Sequence, residues 1–340
     1  MTQDRLPRVL IVGAGAMGIV VGHFLSQAEV QVSFLVRPHR AEALNRPQVL
    51  YCYNDNQLKT FKEYTYLTEP AEIINANFDY ILITLDAVAL MNEVGQNLAK
   101  TIGQAVRQTS AKVLLGTVFY DLKPWFLQTS GLSTEQVTNA LLFVHAYAKK
   151  AVALPVHPPT DQNLLDKADF AYIDSLGPGF VVDDSSPTVA KSFTELYNGC
   201  GVSTCAIMPA AQLAVSTLPI FAVFAACQLL DWPKFQDIGS KGETWSLAVA
   251  AVKEIQGLRI CGELGQQAAE ATSEAGLAAS LTGMEKVMLP LDLQEFYRYH
   301  HGGKVNDQDR ELLRACLTNG EAEGNPMSAL RELVQRVEQH

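Results

Sequence analysis

Arg8-Val9-Leu10-Ile11-Val12-Gly13-Ala14-Gly15-Ala16-Met17-Gly18 decides how the first half of this chain is read. A short apolar run is followed by glycines spaced G-x-G-x-x-G, then by Val20, Val21, Phe24 and Leu25 at helical spacing. The order predicts a buried strand, a tight turn and a helix, the opening of an α/β Rossmann-type dinucleotide-binding domain. Gly13 permits the turn, Gly15 lets the backbone approach a pyrophosphate, and Gly18 lets helix and strand pack closely. With Ala16 and Met17, the loop offers free N–H groups and the positive end of a helix dipole to phosphate. The plain alternative is a glycine-rich turn that binds nothing.

A second apolar-alternating run, Val30 to Val36, ends at Arg37. An acidic residue there would hydrogen-bond a ribose 2′-OH and repel a 2′-phosphate. Between Ser33 and Arg40 there is no Asp or Glu, and both Arg37 and Arg40 are present. A guanidinium fork suits phosphate, so the expected cofactor is NADP (NADPH) rather than NAD. A solvated arginine pair at a helix start is the bland reading.

With 340 residues the chain is long enough for two domains. A formal charge of −10 without a Lys/Arg cluster argues against a nucleic-acid partner. Met1 to Pro7 is polar and reads as no signal peptide. Six scattered cysteines show neither C-x-x-C nor metal spacing, leaving buried free thiols or occasional disulfides, with a cytoplasmic chain expected. Ala210 to Leu230 carries no charge and is long enough to span a bilayer. Gln212, Ser216, Thr217 and Gln228, with Pro219 in the middle and no basic flank, favour a buried core helix kinked at Pro219, and so no membrane.

Residues 79–85 and 112–115 read as buried parallel strands, with one helical segment from Val88 to Val106 between them. Residues 48–67 read as an inserted hairpin. Strand signals continue at Val137–Val144, Phe170–Ile173 and Phe180–Val182, and Pro187–Tyr197 reads as a helix. After about residue 206 the signal is helical, at roughly 210–231, 243–256, 262–279, 292–301, 307–318 and 326–338. The expected organisation is a nucleotide-binding domain over 1–206 followed by an all-α C-terminal domain over 207–340, which closes over the substrate in a cleft.

The stretch from Arg8 to Leu44, with G-A-G-A-M-G and F-L-V-R-P-H-R-A-E-A-L, resembles the ketopantoate reductase (2-dehydropantoate 2-reductase) family. The resemblance extends to Gly303-Lys304-Val305-Asn306-Asp307-Gln308-Asp309 and to Gly324-Asn325-Pro326-Met327. It implies an enzyme that binds NADPH on its N-terminal domain and passes hydride to a keto carbon while a lysine protonates the oxygen. It also places the turn after the third strand, Thr84 and Asp86, in the cofactor site. The family's lysine in that turn is replaced by Asp86, and the next strand ends Leu115-Gly116-Thr117-Val118 without the family's asparagine. The catalytic lysine position falls on Gln212 or Ala210, and the substrate-binding glutamate falls on Asp307. With these positions changed, a changed substrate is expected.

A 2-keto acid needs a cation for its carboxylate and a donor for the developing alkoxide. Asp86 and Asp307 would both repel such a substrate, and two carboxylates facing one cleft would instead suit a cationic or hydroxyl-rich ligand, although Asp86 reads equally well as a helix N-cap. Replacement chemistry is sought in Tyr297, Tyr299, His300, His301 and Lys304, with Asp307, His300 and Lys304 as catalytic candidates. Consecutive helix residues point about 100° apart, so only one histidine of the pair would face a ligand. In the plain alternative both histidines are cations at a helix end stopped by a left-handed Gly302. His145, Lys149 and Lys150 read as loop charge after a strand. The expected partners are a small-molecule substrate and a second copy of the chain in a homodimer. A true ketopantoate reductase with a rearranged site, or a non-catalytic NADP-binding protein, are the other readings.

Overall fold

The computed structural model describes residues 5–340; the polar opening Met1–Asp4 lies outside the described residues. The described residues form two compact units, residues 5–117 with 121–208, and residues 118–120 with 209–340.

Among the described residues, twelve strands build the first unit: β1 (Arg8–Val12), β2 (Gln31–Leu35), β3 (Gln48–Cys52), β4 (Gln57–Phe61), β5 (Tyr64–Leu67), β6 (Tyr80–Ile83), β7 (Lys112–Leu115), β8 (Val137–Leu142), β9 (His145–Ala148), β10 (Phe170–Ile173), β11 (Phe180–Asp183) and β12 (Cys205–Met208). Eight form one sheet in the order β12-β11-β8-β7-β6-β1-β2-β5. From β5 to β8 every pairing is parallel, and β11 turns antiparallel against β8. The order reverses at β1, so the loops after β1 and β6 meet at a topological switch point, where such sheets bind ligands. The sheet runs to Met208, two residues past the expected boundary, because β12 pairs with β11 along Cys205–Met208.

The expected hairpin over 48–67 is only partly one. Strands β3 and β4 pair antiparallel, but β5 leaves them and joins β2. A second sheet, β4-β3-β10-β9, forms instead; His145 lies on its strand β9, and Lys149 and Lys150 lie in the turn that follows. Lys149 there pairs with Asp166 at 3.2 Å. The helix Ala16–Ser26 is packed on both sides, against β1 and β2 and also against β9 and β10. That is why it is apolar nearly all round, with Ile19, Val20, Val21, Phe24 and Leu25 buried.

The second unit is helical. The helix Gly242–Gln256, carrying the fully buried Trp245, packs against Ile220–Leu229 and Ser328–Gln339. The apolar stretch divides into Ala210–Thr217 and Ile220–Leu229 at Pro219, and most of it is buried. Two other expected helices are also divided. Asn92 interrupts 88–106 by capping the Gly95 amide (3.0 Å), and Ser273 interrupts 262–279 by capping Gly276 (3.1 Å). All six cysteines are buried and free.

Candidate functional site

The glycine loop is built as its spacing demands. Gly13 adopts φ +105° and its amide bonds the Leu35 carbonyl at 3.0 Å. A Cβ on Gly18 would collide with the Gly13 carbonyl, whereas a Cβ on Gly15 would meet nothing within 4 Å. No side chain caps the helix Ala16–Ser26, and its first turn contains no acid. Uncapped amides under open space are what a pyrophosphate requires. The backbone of Gly15, Ala16 and Met17 therefore fits a dinucleotide.

Thr84, from the loop after β6, donates its hydroxyl to the carbonyls of Val12 (2.9 Å) and Gly13 (3.3 Å). It fixes the loop from behind. Asp86 accepts from the Ala89 amide at 2.7 Å as the N-cap of Ala87–Met91, so that oxygen serves the helix. At the end of β2, Arg37 and Arg40 are both exposed, and neither side chain meets a carboxylate among the described residues. A cavity of about 290 Å³ lined by Arg5, Phe78, Asp79 and Thr109 lies at the opposite, amino ends of β1 and β6, away from the loop.

In the helical unit the candidate run takes a form the sequence did not suggest. Helix Leu293–Tyr299 passes into a π-helical turn, His300–Lys304, closed by the Val305 amide on the His300 carbonyl at 2.9 Å. Gly302 is not the left-handed stop expected of it. It is needed because a Cβ would lie 2.8 Å from Nε1 of Trp232. Trp232 and Asp231 both hold φ +53°, a left-handed conformation that side chains other than glycine resist. Such π-turns and strained residues gather at functional sites.

The two histidines divide. His301 is largely covered (12% exposed), stacked on Phe224 (centroids 3.8 Å, 17°), with Nδ1 2.8 Å from Asp309 Oδ2. His300 stacks on Phe296 and is partly exposed, as Lys304 and Asp307 are exposed. Burial pushes the Asp309 carboxyl up to about 9 and the His301 imidazole down to about 3, so the pair carries no net charge near neutral pH. Asp309 and Arg310 were not among the sequence candidates. Asp309 stands at i to Leu312, Leu313 and Cys316 at i+3, i+4 and i+7, so helical spacing alone put an acid on the apolar face. A second buried cluster was also missed: Lys123 donates to Ser185 Oγ (2.8 Å), which with Thr138 and Asn139 binds Asp183.

Residues 9–110 match the family model described as Ketopantoate reductase PanE/ApbA. No curated protein matches the chain in sequence. Among solved structures, 2-dehydropantoate 2-reductase from Methylococcus capsulatus superposes with a TM-score of 0.68 at 15% identity, covering 98% of this chain and 96% of that one. The Geobacter metallireducens GS-15 enzyme of the same name gives 0.66 at 16% identity, covering 98% and 99%. D-mandelate dehydrogenase in a ternary structure with NADH and anilino(oxo)acetate gives 0.67 at 12%, covering 98% and 97%. Residues 9–110 are thus similar to the PanE/ApbA ketopantoate reductases, and the chain as a whole shares the fold of these solved structures.

Proposed function

We propose that this protein is an NADP-dependent oxidoreductase that reduces the carbonyl of a small 2-oxo substrate other than ketopantoate. The observation that carries this reading is the open, uncapped glycine loop together with the two unpaired arginines after β2. When bound, NADPH supplies the hydride. Gly15, Ala16 and Met17 hold the pyrophosphate with their amides, and Thr84 holds the loop in place. Arg37 takes the 2′-phosphate, with Arg40 as a weaker second contact; a charge-assisted pair of this kind contributes about 1.5–3 kcal/mol.

The proton for the substrate oxygen comes from the π-turn. His300 and Lys304 are the donors, and Asp307 orients a substrate hydroxyl or amine. Neither Ala210 nor Gln212 has a proton to give in place of the family lysine, which is why ketopantoate itself is a poor fit. A cytoplasmic homodimer is the proposed working form.

The test is NADPH consumption by the purified protein against a panel of 2-oxo acids that includes ketopantoate. Consumption with another 2-oxo acid, and slow turnover of ketopantoate, is the expected result. No binding of NADPH, or ketopantoate turned over near the ~10 s⁻¹ median of enzymes, would overturn the reading.

A further inference from the structure

Arg5, Arg46, Arg298, Arg314, Arg331 and Arg336 each pair with a carboxylate. Arg310 has no such partner among the described residues, and its Nε is sealed from solvent without an acceptor. Beside it, Asp309 is 95% buried (5% exposed), and its Oδ1 also has no hydrogen-bond partner. Both residues line one small cavity of about 10 Å³, walled by Phe221, Phe224, Gln228 and Asn306. That volume holds one oxygen-sized group.

The chemistry of the two orphaned atoms says which group. Arg310 Nε–H can only donate. Asp309 Oδ2 is engaged by His301 Nδ1, and burial keeps the carboxyl protonated, which leaves Oδ1–H as a second donor toward the same space. Asp309 lies on the first turn of the helix Asn306–Ala322 and Arg310 directly follows it, close to the end where the helix dipole favours negative charge. Asp307 shares that turn, but it is exposed and its charge is screened by water. Leaving two such donors buried and unused costs free energy, so the cavity is built for an acceptor.

We propose that Arg310, seconded by Asp309, is the anchor for a carboxylate of the substrate, one carboxylate oxygen seating in the cavity between Phe224 and Asn306. The inference rests on the 2-oxo acid reading for the identity of the ligand. It supplies the cation that Asp86, Asp307 and the missing family lysine do not. His301 is then a positioning residue, holding Asp309 through Oδ2 while Phe224 holds His301.

Trp232 stacks on Phe224 at 6.3 Å and provides a spectroscopic reporter. The experiment titrates the full-length protein with oxamate and with oxamide, its uncharged counterpart, by calorimetry and tryptophan fluorescence, with and without NADPH. The wild type should bind oxamate and quench or shift Trp232, and oxamide should bind at least tenfold more weakly. Arg310→Gln should weaken oxamate about ten- to a hundredfold, and Arg310→Lys should fall between, since an ammonium keeps the charge but not the fork. Unchanged oxamate affinity in Arg310→Gln overturns the proposal, as does a wild type that binds neither compound. Thermal unfolding near the wild-type midpoint checks that both variants are folded. If oxamate binds through Arg310 but no 2-oxo acid is reduced, the oxidoreductase reading fails and the carboxylate site stands. If a 2-oxo acid is reduced and Arg310→Gln leaves its KM unchanged, the site fails and the oxidoreductase reading stands.

Discussion

A methyl group on Gly18 would stand 2.1 Å from the carbonyl oxygen of Gly13. The first helix therefore meets the end of β1 with no room for any side chain at that point, whereas Gly15, in between, faces open space. The two glycines should respond differently to the same change. Gly18→Ala forces backbone apart and should destabilise the fold by more than about 2 kcal/mol. Gly15→Ala, at φ −76°, should fold normally and bind NADPH at least tenfold more weakly. Thermal unfolding and an NADPH titration of the two variants separate these outcomes. Equal effects on stability would show that the packing argument is wrong.

Arg37→Ala should lower NADPH affinity by about one to two decades and leave NADH affinity within a factor of about two. Arg40→Ala should do the same more weakly. Paired titrations with both cofactors are the check, and a wild type that binds NADH as tightly as NADPH would refute the assignment.

Asp307→Asn, His300→Ala and Lys304→Ala should each slow turnover of the identified substrate, by about 10²- to 10⁴-fold for whichever residue donates the proton. NADPH affinity should stay near the wild-type value in all three. The proton donor is recognised by the loss of one limb of the pH–rate profile. Wild-type rates and profiles throughout would reduce the π-turn to a structural element.

His23 should make the first unit sensitive to acid. It is buried between Phe24 and Phe61, and its Nδ1 has no partner. Burial, and then Lys59, lower its pKa below the ordinary 6.5, while Glu63 acts weakly the other way. A histidine held neutral contributes stability that is present above about pH 6.5 and lost as pH falls below it, because the unfolded chain takes up the proton first. His23→Leu should flatten that part of the stability curve, as measured by the unfolding midpoint between pH 7.5 and 5.5. An unchanged slope in the variant would assign the acid sensitivity elsewhere.

The buried pair in the helical unit makes a prediction about stability rather than rate. Asp309→Asn preserves an acceptor for His301 Nδ1 and should cost less than about 1 kcal/mol. Asp309→Ala leaves that nitrogen without a partner beside a new void and should cost about 3 kcal/mol. Urea unfolding of both variants decides it. Equal losses would show that the hydrogen bond to Oδ2 contributes nothing.

The fold of the parallel-sheet half was legible because its signals are local. Glycine spacing, an apolar run and a charge at a strand end each need only a few neighbouring residues. What was not legible depends on residues far apart in sequence. Nothing near Phe61 tells that β4 and β5 go to different sheets, since β4 pairs with Leu50 and β5 with Phe34. Gly302 looked like a helix stop because the side chain that crowds it, Trp232, is seventy positions away. Asp86 sat between two roles, and its oxygen is a cap. The helical unit's inward acid was visible in principle, as Asp309 shares a face with Leu312, Leu313 and Cys316. Its partner His301 belongs to a different turn, and only the fold brings them within 2.8 Å.

Only Lys62 and Glu63 separate the end of β4 from the start of β5. A tether of two residues spans about 10 Å at full stretch, so the small sheet cannot drift from the large one without pulling on its edge strand. The first helix is clamped between the same two sheets and carries the glycine loop at its tip. Breathing of the small sheet is therefore expected to loosen the loop with it. Amide protons of β4, β5 and the helix should exchange with solvent together, with the small sheet restraining the glycine loop.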